Sequence, residues 1–176
     1  MPSAHSETPE ADRDRSPATG TAYELARRED VRRAVRTLIL TARREIALLS
    51  TALEPAVYDD AVLLEAIGAL ARRRGARVRA LIRDPRTVVT RGHRLVELAR
   101  RLSSSVELRR PHPEHRDGTE QILITDESGI LFRPDETRFH GRMAPNAPAE
   151  ARRRLRTFEE WWALAEPDPE LQRLHL

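Results

Sequence analysis

The chain has 176 residues, 39% hydrophobic and 34% charged, which suits one globular domain long enough to bury a core. It contains neither Cys nor Lys, so all 31 basic side chains are Arg; this excludes disulfides, thiolate metal sites, thiol nucleophiles, lysine Schiff bases and lysine-held phosphates. Net charge is only +3, and the pI of 10.3 reflects how few groups titrate between neutrality and the Arg range rather than a strongly basic surface.

In chain order, residues 1–20 are rich in Pro, Ser, Thr and charge and predict a disordered tail. Glu7, Glu10, Asp12 and Asp14 against Arg13 and Arg15 give it −2, leaving about +5 on the remainder, and it lacks the apolar run of a signal peptide. Residues 22–44 predict an amphipathic helix, with Val31, Val35, Leu38 and Ala42 on one stripe. Residues 45–50 (EIALLS) read as a buried strand, and a loop through Pro55 follows. Asp59 or Asp60 caps a helix whose buried stripe is Leu63, Ala66, Ile67 and Leu70, and Gly75 ends it. Residues 76–84 alternate Val78, Ala80 and Ile82 against Arg77, Arg79 and Leu81, a strand that Pro85 terminates. Gly92 to Ser103 predicts a third helix, and VELRR (106–110) a third strand. A Pro- and Gly-containing loop (111–118) leads into a hairpin of residues 120–126 and 130–133, then a short edge strand at 138–143. Asn146 or Pro148 starts a last helix with Ala151, Leu155, Phe158 and Trp162 inward. The order α-β-α-β-α-β-β-β-α predicts an α/β domain over residues 21–165, a mixed, mostly parallel sheet with helices on both faces, and a surface tail from 166 to 176. No apolar run approaches the roughly 20 residues that cross a bilayer, so a cytoplasmic location is the expectation.

The hairpin segment EQILITDESGILFRP (120–134) resembles the catalytic stretch of the phospholipase D superfamily: His-x-Lys-x4-Asp on a strand, a turn, a second strand and a Gly-Ser end. Aligning the Asp with Asp126 puts Thr119 at the His position, Gln121 at the Lys position, and Arg133 and Pro134 near the Gly-Ser end. The element order from about residue 24 to 165 is similar to one half of the two-lobed enzymes. RDPR (83–86) and RGHRLVELARRLSS (91–104) resemble uncharacterised bacterial domains with this degenerate half, some of them joined to acetyltransferase modules. In the enzymes one His attacks phosphorus, a second protonates the leaving group, and lysines hold the phosphate oxygens. Thr119 and Gln121 supply neither group. The resemblance therefore implies the fold without its phosphoryl-transfer chemistry, and Asp126 reads as a strand-end or turn residue.

Ligands of open α/β sheets bind beyond the carboxyl ends of strands. Those ends offer Ser50 and Thr51, Arg83 and Asp84, Arg109 and Arg110, and Arg133, with His93 in the first turn of the helix after Arg83. Paired guanidiniums there would grip a phosphate; the alternative is that Arg83 and Asp84 serve ion pairs and caps. His112, Glu114, His115 and Asp117 crowd one loop, but a loop spacing fixes no metal geometry, and a solvated loop is expected, with no metal or cofactor. His140 is expected at the surface. ARRRLRTFEEWW (151–162) combines Arg with Trp, a pattern of nucleic-acid binding, although Phe158 and Trp162 fall on the inward stripe; Trp161 lies beside it.

Three readings remain open. The first is a non-catalytic phospholipase-D-like module that binds a protein partner or a second copy of itself. The second is a phosphate or nucleic-acid binding domain using Thr51, Arg83, Asp84, His93, Arg109 and Arg133. The third is an enzyme of another class with His93 as acid or base.

Overall fold

A computed structural model describes residues 21–172; the expected N-terminal tail (1–20) and the last four residues lie outside the described residues. Eight strands form one sheet: β1 (Tyr23–Leu25), β2 (Glu45–Ser50), β3 (Arg77–Ile82), β4 (Val106–Arg110), β5 (Gln121–Thr125), β6 (Gly129–Arg133), β7 (Gly141–Ala144) and β8 (Glu166–Pro167). Their spatial order is β1-β7-β6-β5-β2-β3-β4-β8. Only β2–β3 and β3–β4 are parallel; the other five of the seven pairings are antiparallel. The sheet is thus mostly antiparallel, not mostly parallel as expected. The helix alternation governs only the first half of the chain. The hairpin strand β5 returns beside β2, and the two short terminal strands, too brief to leave a period in the sequence, pair with the edges.

The helices are α1 (Arg28–Thr41), α2 (Pro55–Tyr58), α3 (Ala61–Ala71), α4 (Pro85–Thr90), α5 (Arg94–Arg101), α6 (Pro148–Leu164) and α7 (Pro169–Gln172). The first begins later than its polar periodicity suggests, because Tyr23–Leu25 is drawn into the sheet against β7. Asp30 accepts the backbone N–H of Arg27 at its start. Pro85 opens α4 rather than closing β3: a missing N–H costs nothing at a first helical position. The expected edge strand near residue 140 is interior, since β1 covers it. β8 and α7 arise in the segment expected to lie along the surface, and Leu171 of α7 is buried.

Strand alternation divides the core into two layers. On one face Ile46, Leu48, Val78, Ala80, Leu123 and Leu131 pack beneath α1, α3 and α5; on the other Ala47, Leu49, Leu81, Ile122, Ile124 and Ile130 pack beneath α6. Every residue of β2, at the centre of the sheet, is buried. No described helix is long and apolar enough to cross a membrane.

The β5–β6 turn needs two successive left-handed residues, Asp126 (φ 51°) and Glu127 (φ 57°), neither of them glycine. Asp126 offsets that strain with its carboxylate, which accepts the N–H groups of Arg43 (2.7 Å), Arg44 (2.8 Å) and Glu45 (2.9 Å). It locks the hairpin to the start of β2.

Candidate functional site

Alternation that sends Ile122 and Phe132 toward α6 sends Gln121 and Arg133 to the opposite face, below the loop after β2. Both are wholly buried. Arg133 donates through Nη1 to Gln121 Oε1 (2.8 Å), through Nη2 to the carbonyls of Glu136 (2.5 Å) and Arg138 (2.6 Å), and through Nε to the same Arg138 carbonyl (3.1 Å). Gln121 Nε2 donates to Glu136 Oε1 (3.1 Å), and that carboxylate also accepts from Ser50 Oγ and the Thr51 N–H (2.5 Å each). Ser50 Oγ in turn accepts from the Leu53 N–H (2.9 Å), helping hold Leu53 at φ 50°. Of the degenerate motif positions, this network takes in Gln121. Thr119 stands outside it, exposed, its carbonyl accepting the Glu136 N–H (2.7 Å).

Glu136 and Tyr58 were missed in the sequence. Glu136 follows a Pro-Asp pair and looks like an ordinary turn acid; its partners lie 15 and 86 residues away. Tyr58 sits on a four-residue helix with no periodicity to mark it. Its hydroxyl is buried without a hydrogen-bond partner among the described residues. Burial first, and then the nearby Glu136 charge, hold its proton on far above the ordinary tyrosine range.

The other strand-end candidates are also engaged by the chain itself. Arg83, 4% exposed, donates to the His115 carbonyl (3.1 Å), the Glu120 carbonyl (2.7 Å) and Glu120 Oε1 (2.7 Å), tying β3 to the loop before β5. Asp84 caps α4 by accepting Thr87 N–H and Oγ1, and the Thr87 hydroxyl holds its carboxyl below the usual range. His93 caps α5: its Nδ1 accepts the Leu95 N–H (3.1 Å), so the neutral ring carries its proton on Nε2, which is buried with no hydrogen-bond partner. Burial lowers its pKa. Arg109 pairs with Glu107 and lies over the Trp162 ring, 4.4 Å from its centroid. The strand ends therefore hold Thr51, Arg83, Asp84, His93 and Arg133 in hydrogen bonds made within the chain. Among the described residues no group of acids and histidines is arranged to hold a metal.

The α6 face carries a second set of polar groups. Arg79, on the alternation opposite Val78 and Ala80, is 5% exposed because α6 covers β3. It bonds Glu45 (2.6 Å) and both oxygens of Glu159, with Phe158 and Trp162 beneath its guanidinium. That attachment draws Glu159 below the usual carboxylate range. Trp161, one residue off the buried stripe, stacks on His115 with ring centroids 4.4 Å apart and planes at 13°.

The geometry matches solved structures of phospholipase D fold. Nuc from Salmonella typhimurium, a phospholipase D family member, is 14% identical, with 84% of this chain covering 99% of that one at a TM-score of 0.58. NucT from Helicobacter pylori is 9% identical over the same shares, at 0.56. TrmBL2, an archaeal chromatin protein whose structure shows a novel mode of DNA binding, is 15% identical at 0.61; 84% of this chain spans only 54% of TrmBL2. The chain thus has a phospholipase-D-like α/β fold. It belongs to the domain family of unknown function DUF7931, whose model matches residues 27–174. No curated protein sequence matches it.

Proposed function

We propose that this domain is a phospholipase-D-like module that acts by binding and not by cleaving phosphodiesters. One observation carries the reading: the buried Arg133 guanidinium spends its donors on Gln121 and on two backbone carbonyls of the loop after β6. That network takes in Gln121, where the resemblance expects an ammonium to face substrate, and leaves Thr119, at the imidazole position, exposed outside it. Glu136 closes it from the other side, binding Ser50 and Thr51. A phosphate there would meet a carboxylate and a guanidinium that has committed four of its five N–H donors, all but one on Nη1. His93, 2% exposed and committed to capping α5, offers a substrate no accessible nitrogen, which weighs against the acid–base reading.

The test is hydrolysis of bis(p-nitrophenyl) phosphate and of a phosphatidylcholine vesicle by the purified full chain. No turnover above buffer is expected, with or without added divalent ions. Sustained turnover that copurifies with the folded chain and vanishes in Arg133→Met would overturn the reading.

A further inference from the structure

Between α6 and the β5–β6 hairpin lies a cleft of about 420 Å³, on the opposite face of the sheet from the Gln121–Arg133 network. Its apolar lining is Ile122, Phe132 and Pro134, and at one side stands Trp161, half-buried and backed by His115. Two neighbouring guanidiniums complete it. Arg154 lies over the Phe132 ring, 3.6 Å from its centroid; its Nε is buried without a hydrogen bond, and its nearest carboxylate, Glu150, is 3.8 Å away. Arg153 is exposed and makes no ion pair among the described residues. The only carboxylate lining the cleft, Glu120, is engaged by Arg83 at 2.7 Å. Apart from Glu120 Oε2 and the Thr157 hydroxyl, the uncommitted hydrogen-bonding capacity here is cationic, and it sits beside a flat aromatic surface.

We infer that this cleft binds a nucleotide unit, an aromatic base stacked by Trp161 with its phosphate held by Arg153 and Arg154. A guanidinium stacked on a ring is already oriented and leaves its edge donors free for an oxyanion. Base stacking on aromatic side chains tolerates any base, so the site takes a base-plus-phosphate chemistry rather than a sequence. The volume is of the size that small-ligand sites occupy. The site accepts the unit free or as part of a single strand, and it stands whether or not the chain cleaves phosphodiesters.

The experiment titrates the full chain with a short fluorescein-labelled oligothymidine at low salt, and then adds AMP as competitor. Trp161→Ala is expected to weaken oligothymidine binding about tenfold or more. Arg153→Glu, at an exposed position, should weaken it at least as much. Arg153→Ala should make the salt dependence shallower by about one unit of slope. Arg74→Ala, in the exposed turn after α3, should change nothing. Displacement by AMP marks the free nucleotide as a sufficient ligand; resistance to AMP marks the strand as the source. The inference fails if neither probe binds. It also fails if Arg153→Glu binds like the parent chain, or if Arg74→Ala loses as much affinity as Arg153→Ala.

Discussion

A guanidinium carries five N–H donors and no acceptor, so a buried one must find oxygen on every side. Arg133 makes four such bonds and Arg83 three, mainly on backbone carbonyls that loops bring to them. From their places at strand ends, these two side chains tie loops to the sheet. His93 shows the same economy with a different cost. Its cap requires the neutral ring, and burial depresses its pKa below that of the unfolded chain. The unfolded state then binds the extra proton as pH falls through the ordinary histidine range, so the stability His93 contributes is full above that range and lost below it. Urea unfolding midpoints should therefore fall between about pH 7.5 and about pH 5 by more in the parent than in His93→Asn, which keeps a capping acceptor but does not titrate. Equal falls in both proteins would show that His93 contributes none of this pH dependence.

At the scale of elements, the hairpin and α6 were legible in the sequence, while the sheet edges were not. The β5–β6 pair announced itself through apolar runs flanking a short polar turn, and the stripe Ala151, Leu155, Phe158 and Trp162 of α6 is buried as its period implied. By contrast β1 is three residues and β8 two, lengths at which neither alternation nor propensity has statistical force. What makes β1 a strand is β7, whose outer edge would otherwise present unpaired backbone groups. Leu25, 4% exposed, anchors it in the core. Leu25→Ala should cost about 2 kcal/mol in urea unfolding. It should also speed amide exchange along β7 ahead of β3. A loss confined to global stability, with no selective exposure of β7, would argue against β1 as its cover.

For the molecule as a whole, the question is whether the fold could be returned to phosphoryl-transfer chemistry by restoring two side chains. The packing says it could not. A double change of Thr119→His and Gln121→Lys would remove the acceptor that Arg133 uses and set a second cation against it in a wholly buried place. The expected outcome is no phosphodiester turnover and a loss of at least about 2 kcal/mol in unfolding free energy, even with Glu136 available to the new ammonium. A double variant that hydrolysed bis(p-nitrophenyl) phosphate at undiminished stability would mean that the Arg133 network is dispensable and that only two residues separate this domain from catalysis.

The sequence by itself determined what is chemically missing and where the four longer helices and the central strands lie, while the short helices α2, α4 and α7 fell in segments expected as loops or tail. Absent side chains cannot be restored by folding, and local periodicity reports which face of an element is buried. Only the tertiary structure decided which way β5 runs beside β2, which arginines are spent, and that Trp161, Arg153 and Arg154 share a cleft with Phe132. Those facts depend on contacts between residues distant in the chain. Glu136 is 86 positions from the serine it binds, and no local pattern encodes such a meeting.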